Sequence, residues 1–295
     1  MLGALFSIVV CFGLGYWCRQ KGIFHQEQAQ TFIDFVIKVA FPSLIIVTLQ
    51  KLVWDPHVIS MIVAGWGLLA LSIAMAWGIG KFFGLCVAQK RSMAIMSTFG
   101  NTSFIGFPFI TALMGSGVLG YAVLYDQFVS FLVLLLISPL ILGGKIDRAS
   151  FKALISFPPF VAMLLGLALR FVNLPLWFWE PLTLISHTVI PLVLVALGIT
   201  FNAGDVLRYK KEVMIVLAIK MVVLPMVLWI GLVVAGIELT PLWRVAILET
   251  AMPPMVVASL LVINHRLEGA MAVTSVGIGI LVSFVTLPLW FCLMA

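Results

Sequence analysis

Apolar residues run in long, nearly unbroken stretches, punctuated by charges and turn residues. The stretches occupy 2–18, 30–50, 57–82, 91–114, 119–143, 151–171, 177–201, 211–235, 241–263 and 267–293. Most lie near the roughly 20 residues that an α-helix needs to cross a hydrocarbon core of about 30 Å. None has the period-two alternation of barrel strands. The pattern therefore predicts an all-α integral membrane protein with ten transmembrane helices.

Composition agrees, because the 295 residues are 63% hydrophobic and 9% charged. Soluble domains carry about 25% charged residues, so the solvent around most of this chain is expected to be lipid. The net charge of +6 is spread in short clusters between apolar runs, as in cytoplasmic loops and unlike a nucleic-acid interface. With the N-terminus outside, ten spans leave twelve Lys and Arg residues in inside loops and three (Lys51, Arg170, Arg244) in outside loops. That asymmetry predicts a multi-pass protein of the cell (inner) membrane with both termini outside, on the periplasmic face. Five of nine tryptophans (Trp54, Trp177, Trp179, Trp243, Trp290) then fall near outer span ends, as an interfacial belt requires. Met1 to Cys18 lacks a basic n-region and a small-x-small cleavage site, so it reads as a retained first helix. The four cysteines show no CxxC spacing and read as small apolar residues, with no metal or cofactor implied.

The chain also repeats itself. The loop Gly144–Ser150 separates five spans (1–143) from five more (151–295). Pro42 of the second span and Pro191 of the seventh are 149 residues apart, as are Gly100 and Glu249 in the two most interrupted spans, the fourth and ninth. Five is odd, so the second copy must cross the membrane upside down, giving two inverted five-helix repeats. Gly100, Gly106 and Pro108 are expected to break the fourth span, and Pro253–Pro254 the ninth. Each break frees N–H groups at a half-helix N-terminus, a ready anion site, and carbonyls at the opposing end, which suit a cation.

Polar side chains gather at these breaks: Ser97, Thr98, Asn101, Thr102 and Ser103 in one, Glu249, Thr250 and Ser259 in the other. Ser and Thr can serve freed backbone groups. Asn101 brings two donors and an acceptor beside a break, which suits contact with a substrate or ion. Glu249 is a carboxylate inside an apolar span. It can be a coupling site for H+ or Na+, or the partner of Lys38 or Lys220. Asp126 of the fifth span has the same two readings. Lys38 is expected to pair with Asp34 one turn earlier, Lys220 either snorkels or works, and His187 reads as a core histidine.

The runs Gly100-Asn101-Thr-Ser-Phe-Ile-Gly106-Phe-Pro108 and Ala251-Met252-Pro253-Pro254-Met255 resemble the auxin efflux carrier family, and so does the tail Gly277–Trp290. That family shares the bile/arsenite/riboflavin transporter superfamily with bile-acid-type sodium symporters. The resemblance covers essentially the whole chain and implies an elevator-type secondary transporter of small organic anions, such as malonate-like or auxin-like carboxylates. It implies crossing, broken helices four and nine, with Asn101, Thr102, Ser103, Gly106, Pro108, Met252, Pro253 and Pro254 around the substrate and Glu249, Thr250 and Asp126 coupling an ion. It also implies a scaffold of helices 1, 2, 6 and 7, a transport part of helices 3–5 and 8–10, and a homodimer. The long central loop of plant members is missing, which points to a bacterial-type member. Two further readings are a receptor that binds an organic anion without moving it, and an intramembrane aspartyl protease built on Tyr125-Asp126 and Asp205. The latter lacks the Gly-x-Gly-Asp run that its second aspartate needs.

Overall fold

The computed structural model describes residues 2–145, 148, 152, 155–201 and 209–294. Among them the architecture is all-helical. Six helices are long and apolar enough to span a membrane: α2 (Gln26–Gln50), α3 (Val58–Phe82), α6 (Ser116–Leu142), α8 (Leu176–Thr200), α9 (Lys210–Val234) and α12 (Gly269–Leu293). Shorter helices complete the bundle: α1 (Leu2–Gln20), α4 (Val87–Thr98), α5 (Thr102–Met114), α7 (Pro158–Leu169), α10 (Pro241–Thr250) and α11 (Val256–Asn264). Large apolar side chains such as Phe6, Ile59, Val234 and Val285 face outward. A water-facing surface would not tolerate so many together, whereas lipid does.

Three prolines are absorbed by a local change of helix type, whereas Pro139, Pro181 and Pro288 sit inside α-helix. Pro42, Pro108 and Pro225 each follow a π-helical turn, at Val36–Ala40, Thr102–Gly106 and Ile219–Val223. The wider turn moves hydrogen bonding out of the register that a proline, lacking its N–H, would interrupt. In the α5 turn the Gly106 N–H reaches back five residues to the Asn101 carbonyl at 3.0 Å. Gly106 and Pro108 therefore do not break the fourth span, contrary to expectation. The interruption lies just before them, at Gly100 as expected, where Phe99 turns extended and Asn101 starts a new helix. The ninth span is interrupted between Thr250 and Val256, around Pro253 and Pro254 as expected.

Helix α1 packs along the second half of α8, and α7 packs along the second half of α2. Glycine makes both contacts possible. A Cβ on Gly15 would collide with the Val195 backbone, one on Gly198 with the Phe12 backbone, and one on Gly166 would lie 3.1 Å from the Ile46 Cα. Small residues let helix backbones approach where lipid offers no hydrophobic drive for association. Elements also recur along the chain. Helices α2 and α8 are each 25 residues long and start 150 residues apart, at 26 and 176, while α3 and α9, also 25 residues each, start 152 apart, at 58 and 210.

Two side-chain expectations fail. Trp243 and Trp290 are buried, the latter donating to the Met221 carbonyl at 2.9 Å, so they pack inside the bundle and are not part of an outer belt. His187 is exposed, at a turn within α8, in a groove that also holds Gln50, Lys51 and Glu180. It caps the first half of α8, at a turn before the helix resumes at Val189, and so sits at the surface and not in the core. Lys38 pairs with Asp34 at 2.6 Å, one turn away, as its spacing predicts.

Candidate functional site

The two interruptions meet. Gly100 pairs with Pro254 in an antiparallel bridge: the Asn101 N–H donates to the Pro253 carbonyl at 2.7 Å, and the Met255 N–H donates to the Phe99 carbonyl at 2.9 Å. Two backbone segments that proline and extended geometry remove from helical bonding thus satisfy each other, which lipid could not do. The register sets Gly100 opposite Pro254, 154 residues on, not opposite Glu249. Helix starts follow the same spacing, 87 with 241 and 102 with 256.

From this crossing α5 and α11 leave with their N-termini at one cavity of about 130 Å³. Its walls are Ile37 and Phe41 of α2, Phe131 of α6, Phe157 before α7, and the crossing residues Asn101, Ser103, Phe104, Met255, Val256 and Val257. First-turn N–H groups have no carbonyl partner within their own helix and carry the positive end of its dipole. Asn101 is the N-cap of α5, its Oδ1 accepting from the Phe104 N–H at 3.2 Å. Its Nδ2 is buried with no partner. An apolar chamber with unpaired donors and no basic side chain on its wall suits a small carboxylate held by amides. A larger chamber of about 640 Å³ shares Ile37, Phe104, Val256 and Val257 with this cavity and widens toward Gln26, Glu27, Gln30 and Thr200. Arg19 stands at that end of the bundle and donates to the Ile199 and Phe201 carbonyls, closing the C-terminus of α8.

Behind the cavity wall lies a buried polar layer. Asp126 accepts from the Thr102 hydroxyl at 2.5 Å, the Ser103 hydroxyl at 2.6 Å and the Gln127 amide at 2.7 Å, so it ties α6 to the first turn of α5. Thr250 donates to the Ala246 carbonyl at 2.7 Å, and its oxygen lies 2.9 Å from the Tyr125 hydroxyl. The Tyr125 hydroxyl is therefore the donor of that pair. Glu249 is buried with neither oxygen hydrogen-bonded, against Gly106, where a Cβ would come within 2.6 Å of Oε2. Among the described residues Lys38 pairs with Asp34, and the His57 ring lies 2.9 Å from the Asp55 carboxylate. Neither Lys38 nor Lys220 therefore forms an ion pair with Glu249. Lys220 is buried instead of snorkelling, and its Nζ donates to the Thr250 carbonyl at 3.0 Å.

Of the residues expected around a substrate, Asn101 and Ser103 line the cavity. Thr102, Gly106, Pro108, Met252, Pro253 and Pro254 form the buried frame behind it. Phe131 and Phe157, whose rings stack at 3.9 Å, were not singled out by sequence, because an apolar wall has no signature among so many apolar residues. Asp205, the second aspartate of the protease reading, lies outside the described residues.

The sequence profile of the family described as "Membrane transport protein" matches residues 1–148 and 143–291. An uncharacterized transporter of Methanothermobacter thermautotrophicus is 29% identical over 96% of the chain and 95% of its own length. One of Methanocaldococcus jannaschii is 26% identical over 64% of the chain, and the match spans 65% of that relative. Both relatives are archaeal, not bacterial.

Proposed function

The chain belongs to the membrane transport protein family, that of the auxin efflux carriers, and from that premise we propose that it carries small organic anions across the membrane by an elevator-type movement. As a family member it is a multi-pass membrane transporter. The proposal adds the cargo, the site and the motion. The observation that carries it is the convergence of two half-helix N-termini and the unpaired Asn101 amide on one small cavity.

A carboxylate in that cavity would accept from Asn101 and from first-turn N–H groups of α5 and α11. Its apolar remainder would lie against Phe41, Phe131 and Phe157. Glu249, with Thr250 and Asp126 nearby, is the coupling center of this reading.

Two features support an inverted repeat: the near-constant spacing of paired helices and the antiparallel sense of the bridge. The contacts of α1 with α8 and of α7 with α2 support a scaffold distinct from the part that holds the crossing. The wide chamber beside Gln26 and Thr200 supports a conformation open to the inside, given the positive charge of that face. In this reading both termini lie outside the cell membrane, and two copies pair through their scaffolds.

The test is uptake and counterflow in liposomes, with labelled malonate and indole-3-acetate as probes. Accelerated exchange of either acid by the folded protein is expected. Binding without exchange would favor a receptor, and neither binding nor exchange would remove the organic-anion assignment.

A further inference from the structure

Lys220 is the one cation buried in the crossing among the described residues. It projects from the π-helical turn Ile219–Val223 of α9. The residue is 2% exposed, and its ammonium lies 3.0 Å from the carbonyl of Thr250, at the C-terminal end of α10. Last-turn carbonyls have no N–H partner in their own helix and carry the negative end of its dipole. The same side chain lies over the other break, where a Cβ on Gly100 would stand 2.7 Å from Cε and 3.0 Å from Nζ. Gly100 must lack a side chain for the ammonium to enter. The preceding residue of α10, Glu249, adds an unpaired carboxylate to the same layer. Lys220 is not on the wall of the cavity to which the N-termini point.

A helix-end carbonyl beside a buried carboxylate is an oxygen set suited to a monovalent cation in a membrane interior. Here the chain fills that place with its own side chain. We propose that the Lys220 ammonium is a tethered cation of the crossing, standing where an alkali cation would otherwise bind, so that this protein neither binds nor requires Na+ or K+ there. The inference deepens the transporter reading by addressing its coupling ion, but its test needs no substrate.

Thermal unfolding of the purified protein is followed in NaCl, KCl, methylammonium chloride and choline chloride at equal ionic strength. The native chain is expected to melt at one temperature in all four. Lys220→Ala, which leaves a hole bounded by the Thr250 carbonyl, is expected to melt several degrees lower in choline and to regain most of that loss in methylammonium or Na+. Saturable stabilisation of the native chain by Na+ or K+ would overturn the proposal, and that arm needs no variant. So would a Lys220→Ala protein that melts at the same temperature in every salt. Neither result bears on whether an organic anion is carried.

Discussion

The backbone N–H of Asn101 donates to the carbonyl of Pro253 across 2.7 Å, and this bond fixes where two half-helices point. Its mate, from Met255 to Phe99, completes a one-pair bridge of Gly100 with Pro254 in a bundle whose described residues otherwise lie in helices, turns and loops. Because the bridge consumes the donors and acceptors freed by the interruptions, the first-turn N–H groups beyond it remain for a ligand. One structural solution thus serves both stability in lipid and recognition of an anion.

Asn101→Ala removes both the N-cap of α5 and the unpaired Nδ2. Loss of a cap costs about 1 kcal/mol, so the folded protein should survive with a modestly lower melting temperature. A hydrogen bond to a charged group contributes about 1.5–3 kcal/mol, so affinity for a carboxylate should fall roughly tenfold or more. Asn101→Asp keeps an acceptor for the Phe104 N–H yet presents negative charge to the cavity, and should bind less still. Ligand-induced thermal shifts measure both effects, and unchanged shifts in both variants would move the binding site elsewhere.

Glu249→Gln keeps the shape of a side chain whose oxygens have no partner and removes its charge. An unpaired buried carboxylate is a cost that the amide avoids, so the variant should melt no lower than the native chain. If the carboxylate couples transport, uptake by Glu249→Gln should lose its dependence on a proton gradient while exchange at equilibrium persists. The groups that face Glu249 with charge, Lys220 and Asp126, stay in place. Uptake that keeps its full gradient dependence would return Glu249 to a structural role.

At the α1–α8 contact, Gly198→Ala would set a methyl group into the Phe12 backbone, and neither helix can yield without moving the other. Overpacking of this kind costs about 1–3 kcal/mol. Gly231→Ala in α9 meets nothing within 4 Å and serves as the control. Expected is a clear drop in melting temperature for the first and no drop for the second. Equal behaviour would mean that α1 and α8 are not in close contact.

Much of this was legible in the sequence, because lipid imposes a simple grammar of length and apolarity. The six long spans, Pro253–Pro254 as an interruption, and the Lys38–Asp34 pair could all be read directly. The other interruption falls at Gly100, as read, but was drawn too wide. Gly106 and Pro108 signal a break more loudly than Phe99 does, yet a π-helical turn absorbs them. A five-residue error in pairing followed, since Glu249 is the first polar residue of its run while the bridge uses Pro254. Phe131 and Phe157 of the cavity wall, and the reach of Lys220 to Thr250, depend on packing between distant helices that no local pattern encodes.

The most direct test of the central claim is to locate the anion itself. A structure of the protein in lipid nanodiscs with a bromine-bearing small carboxylate should place the carboxyl group within hydrogen-bond reach of Asn101 Nδ2, between the first turns of α5 and α11. A carboxylate found reproducibly at another place, with the crossing cavity unchanged, would contradict the account.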